Sequence, residues 1–136
     1  LTGEIDLKKL LANLSPLLDS REYVFCTFKD SDYGDYAELK PIASFIEAEG
    51  LTLVMAKDSA DKEGISYQGT YKRITLNIYS SLDAVGLTAT VSTLLAKQGI
   101  SANMIAAYYH DHIFVKTDHA ERALALLQSD QLASEG

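Results

Sequence analysis

The chain predicts an α+β fold in which helices cover one side of an antiparallel sheet. Three observations carry that expectation. Ile74, Leu76 and Ile78 alternate with Thr75, Asn77 and Tyr79, the period of a half-buried strand. Leu87, Val91, Leu94 and Leu95 recur at helical spacing. Between Arg73 and Leu127 the two patterns interleave with turn residues as strand, turn, helix, strand, hairpin strand and helix.

Taken in order, Leu7, Leu10, Leu11 and Leu14 form one apolar helix face, with Asp6 as its N-cap and Pro16 as its stop. Arg21 to Lys29 is rich in β-branched and aromatic residues and reads as a strand. Lys29 to Tyr36 holds three aspartates, two tyrosines and Gly34, and reads as a solvated connection rather than a lid. Leu39, Ile42, Phe45 and Ile46 would suit a helix ending at Gly50, but Pro41 is poorly placed inside one. Ile42–Ile46 and Leu51–Met55 are therefore expected to pair as a hairpin across a Glu47–Gly50 turn.

Lys57 to Gly64 suggests a short capped helix closed by Gly64, and Gln68-Gly69 leads into the next strand. The strand at 73–80 runs into an Asp83-Ala84-Val85-Gly86 turn, and Gly99 ends the helix that follows. Residues 100–109 and 110–117 form two strands, with a polar turn at His110-Asp111-His112. Asp118 and Glu121 have capping-box spacing before a helix whose inner face is Ala120, Ala123, Leu124 and Leu127. A right-handed crossover between strands makes this a ferredoxin-like arrangement. The first half echoes the order faintly, without a linker, so two halves at residues 1–69 and 70–136 are expected to share one sheet.

Composition bounds the function. With 136 residues and 47% hydrophobic content the chain can bury a core, and 23% charge is ordinary for a soluble protein. A net charge of −7 and a pI near 4.8 argue against nucleic acid and anionic membrane as partners. The single cysteine, Cys26, sits in an apolar run and reads as a core thiol rather than a nucleophile, which suits a reducing cytoplasm. The sequence holds neither a signal-peptide pattern nor an apolar run of membrane-spanning length, and it begins without methionine.

Sites for chemistry are few. His110, Asp111 and His112 are metal-type ligands, but a tight hairpin with His119 across the strand offers no fourth donor. As a general base either histidine would need a partner, and Asp111 is the one candidate. Glu47 and Glu49 would share one side of a strand, yet a catalytic carboxylate pair usually comes from separated segments lining a cleft. Dinucleotide, Walker, G-x-S-x-G and C-x-x-C motifs are absent. No catalytic residue, metal or cofactor is expected. The Asp83–Gly86 turn differs: a carboxylate and helix-start N–H groups together can hold a small polar ligand.

Residues 80–105, with Gly86, Gly99, Ile100, Asn103 and Ile105 at its key positions, resemble the core of an ACT domain. More widely, Tyr23-Val-Phe-Cys-Thr, Glu49-Gly-Leu-Thr-Leu-Val, Ile74-Thr-Leu, Val85-Gly-Leu-Thr-Ala and Tyr109-His-Asp-His-Ile-Phe-Val resemble a bacterial family of small tandem ACT-like proteins. The likeness covers residues 5 to 128. It implies a regulatory module that binds an amino acid or similar metabolite, related to aspartate kinase regulatory regions and cytosolic arginine sensors, but with no enzyme attached.

The resemblance places ligand contacts at Thr52, Leu53 and Val54, at Asp83, Ala84, Val85, Gly86 and Leu87, and at Asn103. Thr52 stands where the arginine sensors tend to carry serine, so arginine is permitted but not implied. The expected role is amino-acid binding in a cytoplasmic homodimer paired through strand edges or helix faces, with a partner enzyme or transporter under control. The alternative is an interaction module that needs no ligand.

Overall fold

A computed structural model describes Leu14–Leu76 and Gly86–Gln128. The described strands are β1 (Pro16–Phe28), β2 (Ala43–Glu47), β3 (Gly50–Ala56), β4 (Tyr71–Leu76), β5 (Asn103–Ala106) and β6 (Asp111–Lys116). The helices are α1 (Lys57–Lys62), α2 (Leu87–Lys97) and α3 (Ala120–Leu127). The strands hydrogen-bond in the order β2-β3-β1-β4-β6-β5, which gives the expected ferredoxin-like α+β sheet. Among the described residues two compact units are present: Ser20–Tyr71, and residues 14–19 together with those from Lys72 onward.

In the Ser20–Tyr71 unit, β3 pairs antiparallel with β1 on one side and β2 on the other. Leu51, Leu53 and Met55 of β3 alternate inward and meet Val24 and Cys26 of β1 and Ala60 of α1. Burial pushes the Cys26 thiol up, so it stays protonated and inert, as a core residue should. The hairpin reading is correct, and a two-residue turn at Ala48 and Glu49 joins its strands. Glu49 therefore lies in the turn rather than beside Glu47 on a strand face.

The Lys29–Tyr36 connection is largely exposed, as expected, and at its end Tyr36 takes a left-handed φ of 65° and stacks on Phe28 with ring centroids 4.0 Å apart. A single 3-10 turn at Ala37–Leu39 follows it, which the sequence did not announce. Helix α1 has no side-chain cap at Ala56, and Gly64, at φ 67°, follows its end as expected. Its Lys57 and Asp61 pair at 2.8 Å, and the Tyr67 hydroxyl donates to Asp61 at 2.6 Å.

In the other unit, α2 and α3 pack on β4 and β6. Ile74, Leu76, Ile113 and Val115 face Val91, Leu94, Leu95, Ala123 and Leu127 in one core. Helix α2 starts straight after Gly86 and runs to Lys97, with Gly99 just beyond its end at φ 73° as expected. Three expectations need correction. β1 starts at Pro16, which opens the strand instead of only ending a helix, a position where a strand tolerates proline. β5 spans Asn103–Ala106, because the chain turns at Ala107–His110, where Ala107 N–H donates to the His110 carbonyl at 3.0 Å. Asp118 lies inside a 3-10 turn at Thr117–His119, so His119 takes the N-cap position of α3 and makes no side-chain cap.

Of the predicted helix face, Leu7, Leu10 and Leu11 with the Asp6 cap fall outside the described residues, as does the strand beyond Leu76, while Leu14 is described and lies in no helix. Among the described residues no helix is long and apolar enough to cross a membrane.

Candidate functional site

The candidate contacts fall on elements of two different units. Thr52, Leu53 and Val54 belong to the Ser20–Tyr71 unit, and Gly86, Leu87 and Asn103 to the other. Asp83, Ala84 and Val85 lie outside the described residues.

β3 is a central strand of its unit. Thr52 is opposite Thr27 on one flank and Phe45 on the other, so its main-chain groups lie within two ladders. Leu53 and Val54 are buried. Thr52 is thus the one of the three with a polar side chain to offer. Its Oγ1 donates to Glu47 Oε1, a short bond between neighbouring strands. The sequence weighs Glu47 at the hairpin turn beside Glu49, without Thr52 as its partner. A two-residue turn that pairs Glu47 with Gly50 puts it on the same face as Thr52, and that register was the signal available.

Gly86 opens α2 at φ 98° and ψ −18°, and its carbonyl accepts from Thr90 N–H at 2.9 Å. A left-handed residue at this point favours glycine. Leu87 turns its side chain into the core. The first turn of α2 contains no acidic residue and Gly86 supplies no side-chain cap. Helix-start N–H groups carry partial positive charge, and this start has no acid of its own first turn to balance them. Asn103 sits opposite Phe114 at the start of β5, where its Nδ2 donates to the Phe114 carbonyl at 3.0 Å. Part of its side-chain hydrogen-bonding capacity is therefore committed to the β5–β6 ladder.

The histidine segment is built differently from the turn expected. Asp111 and His112 already belong to β6, and only His110 borders the turn. His112 Nδ1 lies 2.9 Å from Thr75 Oγ1 of β4, and the His110 and His112 rings have centroids 6.4 Å apart. On β4, Arg73 Nη2 lies 3.2 Å from Asp19 Oδ2, a half-buried ion pair. Among the described residues no group of three or more metal-ligating side chains comes together.

Burial lowers the His112 pKa from its usual 6.5, aided by the nearby charges of Arg73 and His110 and opposed by Asp111. The unfolded imidazole then binds its proton first as pH falls, so stability declines below about pH 6.5 and levels off below the folded pKa. His112→Asn should flatten that decline. Melting temperatures of both proteins from pH 7.5 down to 5 check this, and parallel profiles would refute it.

Two family models describing ACT domains match residues 2–72 and 70–129. No curated protein matches the chain. Among solved structures, a Vibrio cholerae protein of unknown function, described as a possible transport protein, is 46% identical. That match covers 96% of this chain and 98% of the other at a TM-score of 0.85. An Agrobacterium tumefaciens protein is similar at 15% identity and a TM-score of 0.70, over 85% and 87% of the two chains. The ligand-free regulatory subunit of aspartate kinase from Thermus thermophilus shares the fold at 11% identity and a TM-score of 0.61, over 83% and 93%. The glycine-led start of α2, the strand order and the two matched spans agree, and this chain belongs to the ACT-domain family, with two such domains in tandem.

Proposed function

We propose that this chain is a regulatory protein without catalytic activity of its own that binds a small polar metabolite, an amino acid being the best-fitting class. The observation that carries the reading is the start of α2, where Gly86 opens a helix whose first turn holds no acid. A carboxylate suits those N–H groups, and Asp83 is the residue assigned to the ammonium. Thr52 and Asn103 are the polar side chains of the remaining candidate positions. The matched spans 2–72 and 70–129 support a division into ACT-like halves at 1–69 and 70–136.

The proposal extends to a cytoplasmic homodimer that controls a partner enzyme or transporter. A ligand that favours one conformation shifts the population toward it by its difference in affinity. The fold shared with a regulatory subunit of aspartate kinase is consistent with such a role. If the chain instead works as a ligand-free interaction module, partner binding survives loss of the α2 site.

A thermal-melt screen against the amino acids and common metabolites separates the two. At 100 times its dissociation constant a ligand adds about 2.7 kcal/mol of stability, enough to raise the melt by several degrees. Asp83→Ala should abolish that rise, read against the melt of the same variant without ligand. A flat screen, or a rise that Asp83→Ala leaves intact, contradicts the assignment.

A further inference from the structure

β2 terminates the strand order, so among the described residues no strand covers its outer edge. An open edge presents backbone donors and acceptors to any extended chain, and native proteins usually guard such edges with lysine, proline or a bulge. Ala43–Glu47 contains no lysine or proline. Its most exposed large side chains are apolar instead: Phe45 is 71% exposed and Ile46 61%. Phe45 is opposite Thr52 and Ile46 opposite Leu51, so the two side chains project from opposite faces of the sheet. That placement suits an added strand, whose alternating side chains would reach both faces along the edge, better than it suits a flat partner surface.

The surroundings specify the charge of such a strand. Glu47 ends β2 and Glu49 lies in the turn that follows, both exposed, and Ala43–Glu49 contains no lysine or arginine. A second copy of this chain would bring the same excess of negative charge to the edge, whereas a basic segment is attracted to it. We propose that β2 is the docking edge for an extended segment of another protein in which apolar residues alternate with lysine or arginine. The segment pairs its backbone with β2, covers Phe45 and Ile46 with its apolar side chains, and sets its cations against the carboxylates. This inference does not rest on ligand binding at α2.

The test titrates the full-length protein with a short synthetic peptide alternating lysine and valine, and with its glutamate–valine counterpart. Calorimetry and backbone amide shifts are recorded together. The lysine peptide should bind and shift the amides of Ala43–Ile46, and its affinity should fall at least about tenfold between roughly 50 mM and 0.5 M salt. Phe45→Ser, at an exposed position that leaves the fold intact, should weaken binding by a similar factor. The proposal is overturned if neither peptide binds, if both bind equally, or if Phe45→Ser has no effect. It is also overturned if sedimentation shows a dimer whose formation alone protects the β2 amides, since the edge would then belong to a second copy.

Discussion

Gly50→Ala is expected to destabilise the protein by about 3 kcal/mol, lowering the melt by on the order of 10 °C. Gly50 opens β3 at φ +154°, a conformation that residues with a Cβ rarely adopt. A Cβ built there would lie 2.8 Å from the Phe28 carbonyl oxygen, 3.2 Å from its carbon and 3.3 Å from Lys29 Cα. All three are backbone atoms, so no side chain can rotate out of the way. Relief requires the end of β1 to move, which disturbs both the Phe28–Leu51 pairing and the stacking of Phe28 on Tyr36.

Gly64→Ala supplies the control. Gly64 has φ +67° but nothing within 4 Å of an added Cβ, so only the backbone cost of about 1–2 kcal/mol applies. Urea unfolding of the two variants measures the difference directly. Equal losses would show that the close approach of β1 to Gly50 has no energetic weight.

Leu95→Ala has the other large expected effect, about 3 kcal/mol. Leu95 is fully buried, in the core shared by α2, α3, β4 and β6. Truncation removes its packing and leaves a cavity among neighbours that relax only in part. Its carbonyl, which accepts from Ile100 N–H at 2.9 Å and Gln98 N–H at 3.0 Å, is untouched, so the helix end keeps its hydrogen bonds. Thr93→Ala, on the exposed side of the same helix, should change stability by less than about 0.5 kcal/mol. Similar losses at both positions in a denaturant titration would contradict the placement of the core.

Much of this core was legible because periodicity is local. The stripe of Leu87, Val91, Leu94 and Leu95 and the alternation at Ile74 and Leu76 depend only on neighbours along the chain, and all six residues are buried as that pattern requires. The β2–β3 hairpin was legible for a related reason, since Pro41 counted against the competing helix. Element ends were less readable. The β1 start at Pro16 and the short β5 depend on where pairing partners begin and stop, and those partners are distant in sequence. The capping-box spacing at Asp118 failed because a 3-10 turn intervened before α3.

The candidate site divides in the same way. Gly86 was marked by its position between a turn and an amphipathic stripe, and it does open α2 in a left-handed conformation. The Glu47–Thr52 bond, the Thr75–His112 contact and the Arg73–Asp19 pair escaped notice, since each joins side chains whose proximity is set by strand register or strand order. Composition gives no access to such pairs. The β3 candidates were chosen by resemblance, and the double ladder around Thr52 shows how little of their main chain is left for a ligand.

The central claim, that the start of α2 holds the carboxylate of a small metabolite, is tested most directly by amide shift mapping. Isotopically labelled protein is titrated with whichever amino acid or metabolite raises the melt. The account predicts saturable shifts largest at Gly86, Leu87 and Thr88, with a smaller response at Asn103. Saturable shifts confined to other residues, or none at millimolar ligand, would contradict it.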